Sequence, residues 1–203
     1  MFVKVCGITH QADALAAVEA GADAIGVNFV PTSRRHVDAD TARAIIEATP
    51  SSVPVVGVFA DRSAADVLHV CHSLGLTAAQ LHGDRSAATT AAVAGELEFV
   101  IAVFPVGSVP VAVPDPHLAH VVMVDAATPG GGVPFDWDLV VGLSERHRLL
   151  LAGGLTPDNV AAAVARVRPW GVDVASGVEL DGRKDPGLMR AFVDRARAAG
   201  GSA

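Results

Sequence analysis

The chain alternates two textures. Short Val- and Ile-rich runs are followed by longer Ala-rich stretches whose apolar residues recur at helical spacing. The first run, Phe2-Val3-Lys4-Val5-Cys6, leads into a predicted helix over residues 10–20, with Thr9 as its N-cap. Residues 22–29 predict a second strand, and 38–48 its helix. The same alternation predicts strands over 53–59, 78–81 and 99–104, with helices over 63–74 and 85–94. Pro105, Pro110, Pro114 and Pro116 then break the rhythm. Each proline ring removes an amide donor, so an extended Pro-rich loop is expected where a fifth helix would stand.

Beyond that break the alternation resumes. Strands are predicted over 121–124, 149–152 and 172–175, and helices over 137–143, 157–167 and from Pro186 onward. Thr156 and Pro157 suit the N-cap and first position of the second of these helices, with Val160, Val164 and Val167 along one stripe. In the last helix Leu188, Met189, Phe192, Val193 and Ala196 keep the 3.6 period. Eight strands alternating with about seven helices are βα units, which require a parallel sheet. An open doubly wound sheet would gather its site at one switch point. Here polar residues mark the ends of many strands, the last element is a helix after an eighth strand, and no single Gly-rich dinucleotide loop dominates. The expected fold is an α/β single domain over residues 1–203, a closed (β/α)8 TIM barrel with helix 5 replaced by the Pro-rich loop.

Composition narrows the classes. An apolar fraction of 51 % with only 18 % charged residues excludes a disordered chain. With aromatics at 4 %, the core must be Val, Leu, Ile and Ala. Fifteen Lys and Arg against 22 Asp and Glu leave a net charge of −7, and no basic tract appears, so a nucleic-acid partner is not expected. No apolar run approaches the roughly 20 residues that span a bilayer, and no secretory signal opens the chain. Two cysteines, Cys6 and Cys71, make no disulfide framework. A cytoplasmic protein without a membrane partner, acting on a small molecule as a monomer or homodimer, is expected.

The predicted C-terminal strand ends collect unusual chemistry. Gly153-Gly154 follows strand 7 and Ser176-Gly177 follows strand 8. In barrels the loops after those strands often cradle a phosphate with main-chain amides, and glycine allows that close approach. Cys6 ends strand 1 beside Gly7, where a thiolate would serve as a base; a small buried hydrophobe is the plainer reading, and the one given to Cys71. Asp125 closes an otherwise apolar strand, as a mouth carboxyl whose burial would raise its pKa or as a loop opener. Lys4 should face the same side as Cys6, as a Schiff-base nucleophile or as a core ion pair with a strand residue such as Asp173. Arg34-Arg35 offers a fork for a carboxylate or phosphate. His82 ends strand 4 as a base, a donor or a loop residue, and the other histidines show no metal spacing, so no metal is expected. An arginine at one edge and an amide cradle at the other imply a substrate with two anionic groups.

These residues, in order, resemble a known family. Lys4-Val5-Cys6-Gly7-Ile8-Thr9, Gly26-Val27-Asn28-Phe29 with Ser33-Arg34-Arg35, Gln80-Leu81-His82-Gly83, Leu151-Ala152-Gly153-Gly154-Leu155, and Val172-Asp173-Val174-Ala175-Ser176-Gly177-Val178-Glu179 look like the signature of phosphoribosylanthranilate isomerase. The resemblance runs from the first strand to the last helix. It implies a cofactor-free (β/α)8 enzyme of tryptophan biosynthesis that converts N-(5-phosphoribosyl)anthranilate to 1-(2-carboxyphenylamino)-1-deoxyribulose 5-phosphate. It further implies Cys6 as general base, Asp125 as general acid, Arg35 facing the anthranilate carboxylate, and Gly153, Gly154, Ser176 and Gly177 as phosphate-binding turns. The glycine loop after Asp125 is shortened relative to the family pattern, and Ala175 replaces the more usual serine. Two other readings stand beside this one: a phosphosugar lyase or aldolase using Lys4 as Schiff base, and an inactive ligand-binding paralogue.

Overall fold

The computed structural model describes residues 1–83, 86–106, 119–126 and 134–201. Eight parallel strands close into a barrel: β1 (Phe2–Cys6), β2 (Ala24–Asn28), β3 (Val55–Ala60), β4 (Ala78–His82), β5 (Phe99–Pro105), β6 (Val121–Asp125), β7 (Leu149–Leu151) and β8 (Gly171–Val174). The predicted closure is therefore observed. Helices α1 (Gln11–Glu19), α2 (Ala39–Ala48), α3 (Ala64–Leu74) and α4 (Ala87–Ala94) follow the first four strands. After β7 and β8 come α5 (Val160–Val167) and α6 (Pro186–Gly200). The Pro-rich loop expected in place of helix 5 falls almost wholly on residues outside those described, as does most of the glycine loop after Asp125. Among the described residues no helix is long and apolar enough to cross a membrane.

Alternation within each strand divides the barrel into layers. One set of side chains packs outward against the helices, in a core that includes Ile25, Leu149, Leu151, Val172 and Phe192. The alternate set faces the barrel interior, where Val56, Ile101, Met123 and Leu150 fill the middle. The N-terminal end is plugged by aromatics: Phe2 stacks on Trp170 with centroids 4.4 Å apart, Phe99 leans on both, and the Arg148 guanidinium lies 3.8 Å above the Trp170 ring. Three of the chain's few aromatics thus seal one end, and the polar residues are left to the other.

Local chemistry explains the helix starts that agree and those that differ. Asp38, Ser63, Ser86 and Asp185 each accept a hydrogen bond from an amide in the first turn of the helix they precede. The N-cap of α1 is His10, not Thr9, and it makes no side-chain cap bond. The amides of Gly7 and Ile8 both donate to the Gly26 carbonyl, with Gly7 left-handed, and the Thr9 hydroxyl pairs with His10 Nδ1 at 2.9 Å instead of a first-turn amide. The helix expected over 137–143 is instead two 3-10 turns, Trp137–Val140 and Leu143–Glu145, because Val141 is extended and Gly142 has φ +83°. Helix α5 begins at Val160, not Pro157. The Asn159 side chain accepts from the Thr156 amide and donates to the Gly154 carbonyl, drawing residues 156–159 into a turn. A hairpin absent from the sequence reading, β9 (Glu179–Leu180) and β10 (Arg183–Lys184), closes on Asp181-Gly182 with φ of +50° and +79°.

Register places one charged pair inside the barrel. β1 pairs with β8 so that Lys4 lies opposite Asp173, and Nζ donates to Oδ1 at 2.8 Å. Lys4 is completely buried; burial alone would lower its pKa, but the Asp173 carboxylate outweighs that and the ammonium is held above its usual range. Of the two structural options for Lys4, the core ion pair is the one observed. Replacing Lys4 by Met leaves Asp173 as a buried uncompensated charge, and is expected to cost about 3–5 kcal/mol in urea unfolding. A loss below about 1 kcal/mol would contradict that role.

Candidate active site

All eight strands end on the same face, so the inward-pointing residue at each end reaches one mouth. A cavity of about 640 Å³ opens there, walled by Cys6 from β1, Gln80 and His82 from β4 and Asp125 from β6, with Arg35 on its rim. Cys6 lies opposite Gly26 of β2, and a Cβ at that glycine would stand 2.8 Å from the sulfur. The glycine makes room for the thiol. Burial pushes the Cys6 thiol up, and the Lys4 charge beneath it pulls the other way without fully offsetting the burial. Cys71, buried on α3, is pushed up to about 12 by burial alone, as an inert thiol should be.

Asp125 stands three strands round the barrel from Cys6. Burial pushes its carboxyl up to about 6, against the opposing pull of the Ala126 amide, which donates to Oδ1 at 2.7 Å. A carboxyl of that strength holds or releases a proton near neutrality, as a general acid must. Asp173, shared between cavity and ion pair, adds negative charge that favours the protonated form of Asp125.

The arginine rim is built by a network of loop contacts. Asn28 accepts from the Val30 amide at 2.8 Å and donates to Ser33 Oγ at 3.1 Å; that hydroxyl in turn accepts from the Arg35 amide. This folds the β2–α2 loop back over the mouth. The Arg35 stem passes over Gly7 so closely that a Cβ there would collide with its Cδ. Its guanidinium donates to Glu179 through Nε at 2.6 Å and Nη2 at 2.9 Å.

A second, smaller recess of about 40 Å³ adjoins the cavity and shares Asp125, Asp173 and Ala175 with it. Gly153 and Gly154 line it with φ of +86° and +67°, a left-handed pair that residues with a Cβ would strain to adopt. Ser176 lines it from the 3-10 turn that follows β8. Among the described residues the amides of Gly153 and Gly154 make no backbone hydrogen bond, which leaves donors for an anion. Gly177, next to Ser176, is not among the lining residues; a Cβ there would collide with the Leu155 carbonyl, so its backbone packs directly against that loop.

The structure thus brings Cys6, Asp125, Arg35 and His82 to one cavity, and Gly153, Gly154 and Ser176 to the recess beside it. Sequence reasoning missed Gln80, Glu179 and Lys184. Gln80 is 2 % exposed; its Nε2 is 2.6 Å from His82 Nε2, and its buried Oε1 has no partner among the described residues. An amide inside an apolar strand was the available signal. For Glu179 and Lys184 the signal was the Asp181-Gly182 hairpin turn that sets them opposite each other.

Chemistry gathered at the strand C-termini of a closed parallel barrel places the chain among the (β/α)8-barrel enzymes. Comparison with known proteins is more specific. The model of the N-(5'-phosphoribosyl)anthranilate (PRA) isomerase family matches residues 3–195, and the chain belongs to that family. The N-(5'-phosphoribosyl)anthranilate isomerase of Desulforudis audaxviator is 44 % identical, over 97 % of this chain and 98 % of that protein. Phosphoribosyl anthranilate isomerase from Thermotoga maritima superposes with a TM-score of 0.88 at 36 % identity, over 98 % of this chain and 99 % of that one. Another structure of the isomerase, in complex with reduced 1-(o-carboxyphenylamino)-1-deoxyribulose 5-phosphate, superposes at 0.82 with 35 % identity, over 98 % and 99 % of the two chains.

The strength of Asp125 has a cost to folding. Its folded pKa is raised above the ordinary 3.8, so the native state favours the protonated form. The penalty is absent below about pH 4, grows up to about pH 6 and is complete above that. Asp125→Asn is expected to raise unfolding stability at pH 8 by up to about 3 kcal/mol, the gain vanishing near pH 4. Denaturant melts at both pH values check this, and a gain independent of pH would contradict it.

Proposed function

We propose that the chain isomerises N-(5'-phosphoribosyl)anthranilate to 1-(2-carboxyphenylamino)-1-deoxyribulose 5-phosphate in tryptophan biosynthesis. The observation that carries this reading is a single cavity with a thiol and a raised carboxyl on separate walls, joined to a glycine-turn recess on one side and an arginine on the other. Such a cavity suits a substrate with a phosphate and a carboxylate at its two ends. The names of the relatives, and the product analogue held by one of them, support the same substrate.

In this reading Gly153, Gly154, Ser176 and Gly177 form the turns that bind the phosphate, and Arg35 meets the anthranilate carboxylate. His82 lines the same cavity from the end of β4. Asp125 gives its proton to the ribose ring oxygen; the ring C–O bond breaks and the anomeric carbon becomes a protonated imine. Cys6 thiolate then takes the proton from the adjacent sugar carbon, and the C–H electron pair moves to neutralise the imine nitrogen. The resulting enolamine tautomerises to the ketone. Acid and base act on different atoms, so two separated groups are required, each supplying about 10²–10⁴-fold. The Lys4 ammonium, buried beneath Cys6, lowers the energy of the thiolate that burial alone disfavours.

The Schiff-base alternative finds no support in the geometry. Lys4 is absent from the cavity lining, is paired with Asp173 and is held protonated, whereas imine formation needs a free amine. Borohydride trapping with substrate should leave Lys4 unmodified. Turnover is followed by the loss of phosphoribosylanthranilate fluorescence and by complementation of a tryptophan auxotroph blocked at this step. Cys6→Ser and Asp125→Asn are each expected to lower kcat by at least about 10²-fold with the circular dichroism spectrum unchanged. Near-normal rates in both variants would remove the acid–base assignment.

A further inference from the structure

We propose that Glu179 is the positioning residue for Arg35, holding its guanidinium side-on so that the remaining edge reads the substrate carboxylate. The inference rests on the isomerase reading for the identity of that carboxylate.

Glu179 lies on β9, past the 3-10 turn Ser176–Val178 that follows β8, and Arg35 on the loop after β2. The two loops meet across the end of β1, where Gly7 leaves space for the Arg35 stem. Glu179 takes the Nε and Nη2 protons of Arg35, the lateral edge of the fork. A guanidinium has five N–H groups, so the end formed by Nη1 and the second Nη2 proton stays available for another carboxylate. Bound this way, Arg35 bridges two planar acids in a defined orientation.

Such a bridge would fail if Glu179 simply neutralised Arg35. It does not, because two further cations share the same carboxylate. Lys184 Nζ donates to Oε1 at 2.9 Å and also to the Ala175 carbonyl at 2.8 Å, and Arg34 Nη2 donates to Oε2 at 2.5 Å. Three cations on one acid leave a local excess of positive charge at the rim of an acidic protein. The Glu179 side chain is 5 % exposed and that of Arg34 58 % exposed, so the acid is enclosed while one cation faces solvent. Burial pushes the Glu179 carboxyl up, but the bonds from Arg35 and Lys184 win and hold it below its ordinary range. The clamp therefore stays ionised wherever the barrel is folded near neutrality. The Asp181-Gly182 turn is what sets Glu179 and Lys184 opposite each other.

The test compares two ligand pairs with and without the carboxylate: N-(5'-phosphoribosyl)anthranilate against N-(5'-phosphoribosyl)aniline in turnover, and the corresponding reduced products in calorimetry. The unsubstituted protein should favour the carboxylated member of each pair. In Glu179→Gln that preference should shrink about tenfold, through a raised KM and Kd for the carboxylated member alone, with kcat within about twofold. Glu179→Asp keeps the charge and should retain part of the preference. A preference unchanged within about twofold in Glu179→Gln, or a failure of both variants to fold, would overturn the proposal, the latter by showing a purely structural role. If the unsubstituted protein turned over neither substrate but its binding preference still collapsed in Glu179→Gln, the isomerase reading would fall and the clamp would stand.

Discussion

The ion pair between Lys4 and Asp173 is the constraint on which the site is built. It spans the seam where the first strand meets the last, so it exists only once the barrel has closed in the correct register. A slip of β1 by one residue would send the Lys4 side chain to the opposite face, into the apolar layer beneath the helices, and leave Asp173 without its partner. Its surroundings divide the molecule. Toward the N-terminal end the interior is aliphatic and ends in the Phe2, Phe99 and Trp170 plug, while toward the C-terminal end it becomes the cavity. A buried pair is weak support for stability, because desolvation offsets most of its attraction. Its value here is positional: it sets a positive charge beneath Cys6 and a negative one beside Asp125.

That placement gives two acids of ordinary type different strengths. Burial raises both the Cys6 thiol and the Asp125 carboxyl, and the pair then acts on them with opposite signs. Lys4 favours the thiolate and Asp173 favours the protonated carboxyl, which are the charge states that a base and an acid need. The rim repeats the device with the signs exchanged, since one enclosed acid, Glu179, organises three cations. In a chain of net charge −7, positive potential has to be gathered locally, and three cations on one carboxylate gather it at the rim.

Glycine serves the site through space as well as through backbone angle. Gly26 is needed because Cys6 and Lys4 fill the volume a Cβ would take, and Gly7 because the Arg35 stem passes over it. Gly153 and Gly154 are needed for left-handed backbone at the recess. Gly177 is needed because its backbone runs against the Leu155 carbonyl, where a Cβ would collide.

By itself the sequence determined the eight barrel strands, their parallel order and most helix starts, though not the β9–β10 hairpin. Each of these follows from local periodicity and from caps such as Asp38, Ser63 and Asp185 that act within a few residues. It also determined which end of each strand carries polar groups, and so singled out Cys6, Asp125, Arg35 and the Gly153-Gly154 turn. Where one local signal had to compete with another, it failed. The Thr9 hydroxyl pairs with His10 and does not cap the first helix, and the Asn159 side chain, bonded to Thr156 and Gly154, holds Pro157 in a turn before α5. Only the tertiary structure decided that Lys4 pairs with Asp173 and that Glu179, 144 residues from Arg35, grips it. Burial and charge pairing depend on which segments meet in space, and a linear pattern contains no term for that.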